Sequence, residues 1–244
     1  MKKTINIPLG SQHIALLEPV RFGFECENEK IIKVEADVGY VHRGVELACT
    51  TKFKFKQVGY VVARVCGLCA IVHSTCYTLA CEELLGLEAP RRASYLRIIA
   101  NELDRIHSHL LCLAHTAENA GFEALFMRTM KDRELIMEAQ ETLTGNRVQF
   151  DYVCIGGVNK DVTTDIERVV KEKLTLLKQK VAEIEELFLN NWSLSLKYKG
   201  VGTITTESAL RCSVLGPLAR ASGVDFDVRS EERRVGKECL RLCR

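Results

Sequence analysis

The 244-residue sequence has no apolar run long enough to cross a bilayer as a helix, which takes about 20 residues. Its start, MKKTINIPLG, carries two lysines but no long apolar stretch leading to a small-residue cleavage site. The sequence therefore predicts neither a membrane span nor a secretory signal. By default, we expect a cytoplasmic protein.

A broad basic surface is also missing. The net charge of +2 arises at the end of the chain, where residues 229–244 hold six Lys or Arg and three Glu, so the rest is slightly acidic. This distribution argues against nucleic acid as a partner. The chain also lacks internal repeats and low-complexity tracts.

The eleven cysteines do not form the pattern of a disulfide framework, because they are spread through apolar helical contexts in an odd number. Cys81, Cys112 and Cys154 are examples that we predict to be small core residues in a reduced protein. The pair Cys66 and Cys69 is the exception, because two thiols three residues apart can act together.

The hydrophobic content of 47% is enough for a sizeable core. Two alternating runs separated by the polar letters ENEK predict a β-hairpin with one buried face. Near Phe55 the period becomes helical. We therefore predict an α+β fold with a hairpin element at 1–55 followed by a helical core from 56 onward. The residues predicted to line the buried face are Val20, Phe22, Phe24, Cys26, Ile32, Val34 and Ala36.

Three long amphipathic helices are predicted in the core. The first follows Pro90 and stops near Gly121, and the second covers about 123–143. The third begins with a capping box at Thr164 and Glu167, and Lys171 adds an i,i+4 pair with Glu167. Apolar stripes support the first and third helices: Leu96, Ile99, Leu103, Ile106, Leu110, Leu113 and Ala117, then Ile166, Val170, Leu174, Leu177, Val181, Ile184 and Phe188.

The letters RVCGLCAIVHS at 64–74 leave three interpretations open. Two thiolates at a helix start form a compact chelating unit, and His73 on the same helix face could donate a hydrogen bond to one of them. A structural zinc site would need further ligands such as Cys76 or Cys81. A redox pair of the thioredoxin kind would need a βαβ context, and buried inert cysteines are the third possibility.

This stretch resembles the N-terminal metal motif of nickel–iron hydrogenase large subunits, R-x-C-G-x-C-x-x-x-H, at all five fixed positions. Further segments resemble the energy-converting, membrane-associated branch of these hydrogenases. The resemblance extends to the related 49-kDa core subunit of complex I, which lacks the cysteine pair. The resemblance implies a β element on a long-helix core. The segments are GYVHRGVE, ELDRIHSHLL, TGNRV, IGGVNKD and LGPLARASGVDFDVR.

By this resemblance, Cys66 would be a terminal nickel ligand and Cys69 would bridge nickel and iron. His73 would lie in the layer around these ligands. Glu18 would pass protons away from a nickel thiolate, although it also fits an ordinary surface carboxylate beside a strand.

The complex I relatives imply two further positions. His13 and His42 match positions that border the quinone cavity in those proteins, although both also fit ordinary loop histidines. Arg105, in the first long helix, is predicted to be an ion-pairing residue of the fold.

The sequence departs from the family near its end. The family's second pair, D-P-C-x-x-C, is missing, since Cys239 and Cys243 are four residues apart with no preceding Asp-Pro. Residues 229–239 resemble a translated sequencing-library adapter, so we predict that the helical core ends at 228 and that 229–244 is a non-native tail. We therefore expect the chain to be the N-terminal part of a longer parent and, alone, to hold no stoichiometric nickel and to be inactive.

In the parent, the resemblance implies a nickel–iron centre and reversible H₂ oxidation. It also implies an iron–sulfur small subunit that carries the clusters, membrane-arm subunits, and a peripheral position on the inner face of the cell membrane. A complex I-like quinone-reducing subunit and a non-catalytic assembly module are the alternatives.

Overall fold

A computed structural model describes residues 4–14, 16, 18–148 and 151–226. The chain divides into two compact units, Met1–Phe53 and Lys54–Arg244. The predicted non-native tail, with Cys239 and Cys243, lies outside the described residues.

The N-terminal unit is a three-stranded antiparallel sheet followed by a short helix. The predicted hairpin is confirmed, and its two strands are joined at Asn28, which has a φ of 54°. A first strand that the sequence did not predict pairs with the hairpin's first strand. The elements are β1 (Thr4–Leu9), β2 (Arg21–Glu27), β3 (Lys30–Asp37) and α1 (Val45–Thr51).

The predicted apolar face of this sheet exists, but it is not buried as predicted. Ile7 and Val34 both lie opposite Phe24 and are each 51% exposed, whereas Cys26 is buried. A register shift between Glu25 and Cys26 places Ile31 opposite Cys26. The face therefore contains Ile31 where alternation alone predicted Ile32.

The second unit is mainly helical, as predicted. Its long helices α4, α5 and α6 pack in sequence, with α3 against α4. The elements are α2 (Phe55–Ala63), α3 (Ala70–Leu85), α4 (Arg91–Asn119), α5 (Glu123–Thr144), β4 (Val153–Cys154), β5 (Gly157–Val158), α6 (Thr164–Leu189), α7 (Trp192–Tyr198), α8 (Thr206–Arg211) and α9 (Gly216–Ala221). The whole is an α+β fold.

The buried face of α4 differs from the predicted stripe. Ile99 and Leu113 are exposed, while Asn101, Asp104 and His107 are buried. Small residues elsewhere on this face allow α3 and α5 to approach α4 closely, so the polar side chains are enclosed with them. α4 therefore carries a polar row inside the core.

Helix α6 is capped one residue earlier than predicted, at Thr163. The Thr163 hydroxyl accepts a hydrogen bond from the Ile166 N–H at 3.4 Å, which replaces the predicted cap at Thr164. The predicted Glu167–Lys171 pair forms. Val170 and Ile184 are buried, but Val181 is 38% exposed, because the contact stripe is narrower than the sequence pattern.

The prediction that most cysteines are core residues is wrong. All nine described cysteines are free, and Cys26 is the only one of these nine that is buried. Cys112 is exposed, and Cys81 and Cys154 are half-buried. In the described part of the chain, no helix combines the length and apolar character that a membrane crossing requires.

Candidate metal centre

Cys66 and Cys69 lie in the turn between α2 and α3, which we call the cysteine loop (residues 64–69). Cys69 is the N-cap of α3, so its side chain sits at the positive end of the helix dipole. The Cys66 Sγ accepts hydrogen bonds from the backbone N–H groups of Leu68 at 3.3 Å and Cys69 at 3.4 Å. The loop is thus shaped to hold a negative sulfur at Cys66.

The pKa values of the two thiols are shifted in opposite directions. Burial alone would raise the pKa of Cys66, but hydrogen bonds from the Cys69 side chain and from two backbone N–H groups lower it. Burial and the neighbouring Cys66 sulfur raise the pKa of Cys69 to about 12. The hydrogen bond between the two sulfurs therefore favours the thiolate form of Cys66 over that of Cys69.

This arrangement fits part of a nickel–iron centre. Thiolates are the soft ligands such a centre uses, and here two sulfurs close enough to share a hydrogen bond face one point. The described residues contain no cluster of three or more His, Cys, Asp or Glu side chains that could hold a metal ion. Further ligands would have to come from outside the described residues.

His73 lies in the first turns of α3 and is half-buried. Its backbone N–H donates to the Cys69 carbonyl at 3.4 Å. Among the described contacts, no hydrogen bond joins its ring to either sulfur. Its place around the ligands stays a prediction.

A buried carboxylate, Asp104 on α4, lies behind the cysteine loop. It is 1% exposed. Burial raises the pKa of Asp104 to about 7, opposed by the backbone N–H of Ile71. The charge of Asp104 in turn raises the pKa of Cys69, so the carboxyl group and the thiols affect each other.

His107, one turn further along α4, supports the same loop. It is fully buried, and burial together with the charge of Arg133 lowers the pKa of His107 to about 4. The backbone of Leu68, in the cysteine loop, acts in the opposite direction on this pKa. Arg133 on α5 contacts the ring Nε2, and its Nε donates to the His107 carbonyl at 3.3 Å. The imidazole is therefore neutral.

A third support comes from the chain after α5. Arg64 pairs with Asp151 through two hydrogen bonds, and the Nη2–Oδ2 distance is 2.6 Å. The residues that follow form the β4–β5 hairpin. A buried ion pair between Arg97 on α4 and Glu82 on α3 binds this hairpin to the helices. Arg97 donates to the carbonyls of Cys154 (2.8 Å) and Gly157 (3.0 Å), and Glu82 accepts from the Gly156 N–H at 2.7 Å.

The three remaining predicted site residues lie in the N-terminal unit. Glu18 is in a bend, and His13 and His42 are in turns where their backbone N–H groups donate to Gly10 and Gly39. All three are exposed. Their positions relative to the cysteine loop stay predictions.

Sequence reasoning missed Asp104, His107 and Asp151. A signal for the first two was present in the sequence. Asn101, Asp104 and His107 recur every three residues, which places these polar side chains near one face of the predicted helix. No local signal marks Asp151.

Two family models match the chain. One, described as "Nickel-dependent hydrogenase", matches residues 43–119, which include the cysteine loop and all of α4. The other, described as "Respiratory-chain NADH dehydrogenase, 49 Kd subunit", matches residues 119–235. Two adjoining parts of the chain are thus similar to the nickel-dependent hydrogenase family and to the complex I 49-kDa subunit family.

Hydrogenase and complex I subunits are similar to nearly the whole chain. The membrane-bound hydrogenase subunit alpha of Pyrococcus furiosus is 34% identical over 236 residues, which cover 96% of this chain and 55% of the relative. An NADH-quinone oxidoreductase subunit of Koribacter versatilis is 35% identical and is covered to 57%, with 94% of this chain matched. The chain thus spans little more than half the length of these relatives.

A solved structure agrees with the fold. A chain of the membrane-bound sulfane sulfur reductase, an archaeal respiratory membrane complex, superimposes with a TM-score of 0.88 at 28% identity, covering 94% of this chain and 61% of that one.

Proposed function

We propose that this chain is part of the large subunit of an energy-converting nickel–iron hydrogenase, which interconverts H₂ and protons and passes electrons to a membrane arm. The observation that carries the proposal is the cysteine loop, where the Cys66 and Cys69 sulfurs share a hydrogen bond and two backbone N–H groups donate to the Cys66 Sγ. The partners would be an iron–sulfur small subunit and membrane-arm subunits, which would hold the protein at the inner face of the cell membrane.

Cys66 would be the terminal ligand and Cys69 the bridging ligand. When bound, the nickel–iron centre supplies the soft metal site at which H₂ is split or formed. The N–H groups of Leu68 and Cys69 stabilise the negative sulfur of Cys66. Cys69 holds a proton on its sulfur and must release it when it becomes a ligand, so binding would depend on pH.

Helix α4 covers one side of the cysteine loop and excludes water there. Asp104 and His107 are both buried there. His107 remains neutral near pH 7, so it adds no positive charge beneath the thiolates. In the assembled subunit, Glu18 would pass protons away from a nickel thiolate. His73 would lie in the layer of residues that surrounds the two cysteine ligands.

A complex I-like function is the second candidate. The 49-kDa subunit model matches a longer stretch of the chain than the hydrogenase model does, and relatives of both kinds have nearly equal identity. In that case His13 and His42 would border a quinone cavity, and no nickel would be bound.

The test uses the complete subunit assembled with its partners and compares Cys66→Ser and Cys69→Ser with Cys76→Ser. Cys76 is an exposed thiol on α3 and serves as the matched control. We expect the first two variants to lose nickel and H₂ oxidation, because a hydroxyl is a harder and far less acidic ligand than a thiol. Cys76→Ser should retain both.

Quinone reduction that survives Cys66→Ser in a nickel-free complex would contradict the hydrogenase proposal and favour the complex I-like function. The purified 244-residue chain should contain no stoichiometric nickel after chelator washing, because its described residues offer only two adjacent thiolates. One tightly held nickel per chain would show that this expectation of missing ligands is wrong.

A further inference from the structure

The segment after α5 pairs with the cysteine loop at one point and lies near it at a second. We define this post-α5 segment as residues 145–148 and 151–159. Asp151 pairs with Arg64, and a Cβ placed on Gly67 would lie 4.0 Å from the Val148 Cγ1. The segment therefore contacts the loop through Arg64 on one side of Cys66 and lies close to it on the other side.

Arg64 links this segment to the cysteines through the backbone. It is the C-cap of α2, two residues before Cys66. Its Nη1 donates to the Tyr60 carbonyl at 2.8 Å as well as to Asp151. Because one guanidinium holds both the end of its own helix and a distant carboxylate, the direction in which the chain leaves α2 is fixed.

Asp151 is itself held on a rigid support. Its backbone carbonyl accepts a hydrogen bond from Asn159 Nδ2 at 2.8 Å, and the Asn159 N–H donates to the Tyr152 carbonyl at 2.8 Å. The buried Arg97–Glu82 pair then binds the tip of the hairpin. The carboxylate of Asp151 is thus an anchor fixed by the core.

We propose that Asp151 is a positioning residue, which fixes the cysteine loop through Arg64 and so holds Cys66 in its ligand geometry. Ligand sites need such support, because a ligand displaced by a fraction of an ångström binds its metal poorly. The consequence for metal binding rests on the proposed function. The consequence for the two thiols holds whatever the loop binds.

The chain offers a matched control in the same region. Asp161 follows the post-α5 segment and pairs with Arg92, at 2.9 Å. This pair is more exposed than Arg64–Asp151, with side chains 64% and 70% exposed against 41% and 24%, and it does not touch the cysteine loop. Asp161→Asn therefore removes a comparable charge pair without loosening the loop.

The test measures how fast the thiols of the reduced full chain react with iodoacetamide, with each modified cysteine located by mass spectrometry. Asp151→Asn should speed labelling of Cys66 by about fivefold, equivalent to about 1 kcal/mol. Asp151→Glu, which keeps the carboxylate, should restore most of the wild-type rate. Asp161→Asn should leave the rate unchanged.

Cys81, a half-buried thiol on α3, is the internal reference for general loosening. Equal acceleration at Cys81 and Cys66 would mean that Asp151 only stabilises the fold, and an unchanged Cys66 rate would mean that it does not hold the loop. Either result overturns the proposal.

A second arm separates this proposal from the proposed function. In the assembled complete subunit, Asp151→Asn should lower the nickel content relative to Asp161→Asn. If even the wild-type complex holds no nickel, the hydrogenase proposal fails, but the labelling result still decides the role of Asp151. If nickel is present and unaffected by Asp151→Asn, the positioning role is overturned.

Discussion

The N-terminal sheet and the cysteine loop are stabilised in opposite ways. In the sheet, the residues that alternation marks as a core face are half-exposed, and the candidate residues Glu18, His13 and His42 are exposed as well. The cysteine loop has little regular structure of its own, yet α4, α5 and the post-α5 segment support it. Support for this loop comes from polar contacts with residues distant in the sequence and not from regular secondary structure within the loop.

The largest expected effect tests the support of the loop. Replacing Arg97 with Met leaves Glu82 buried without its partner, which should destabilise the protein by about 3–5 kcal/mol. Both side chains of this pair are less than one-tenth exposed. Urea denaturation followed by circular dichroism measures the change in the free energy of unfolding.

The control is Arg92→Met, which breaks the exposed pair with Asp161 and should cost less than about 1 kcal/mol. If the two variants had similar stability, the buried pair would not be the anchor of the hairpin.

A slightly smaller effect, of opposite sign, is expected at Asp104. Its pKa in the folded protein, about 7, lies above the usual 3.8, so the unfolded chain ionises first and the group lowers stability as pH rises from about 4 to about 7. Asp104→Asn should therefore stabilise the protein by about 2–4 kcal/mol at pH 8 and change it little at pH 4. The Ile71 N–H acts on this carboxyl, and the charge of Asp104 acts in turn on the thiols of Cys66 and Cys69.

The measurement is the free energy of unfolding as a function of pH for wild type, Asp104→Asn and Glu102→Gln. Glu102 lies on the same helix and pairs with Arg105, so its variant controls for the loss of a carboxylate as such. A difference between wild type and Asp104→Asn that does not grow between pH 4 and pH 8 would contradict the destabilising role of the buried acid.

The smallest effects compare the two regions directly. Ile136→Val removes one methyl group from the fully buried core between the helices and should cost about 1 kcal/mol. Val34→Ala removes more from the sheet but should cost less than about 0.5 kcal/mol, because Val34 is half-exposed. Thermal unfolding of both variants would test this, and a larger loss at Val34 would mean that the sheet face is covered in solution.

The elements with a strong local pattern could be predicted from the sequence. The hairpin, the three long helices, the Glu167–Lys171 pair and the pairing of Arg105 all follow from periodicity and short-range chemistry. Strand β1 was missed, because Pro8 within a short run argues against a strand, although an edge position tolerates it.

The candidate site could be predicted only in part. The cysteine pair is visible because its spacing is local. Asp104 and His107 were missed, because polar residues on a helix usually face solvent, and only packing against α3 and α5 buries them. Asp151 contacts Arg64 from 87 residues away, and no periodicity encodes such a contact.

The most direct test of the central claim is X-ray absorption at the nickel edge on the assembled complete subunit. We predict nickel with thiolate sulfur among its ligands, and less sulfur or no nickel in Cys66→Ser, while Cys76→Ser matches wild type. A complex without nickel, or with nickel bound by nitrogen and oxygen alone, would contradict this claim.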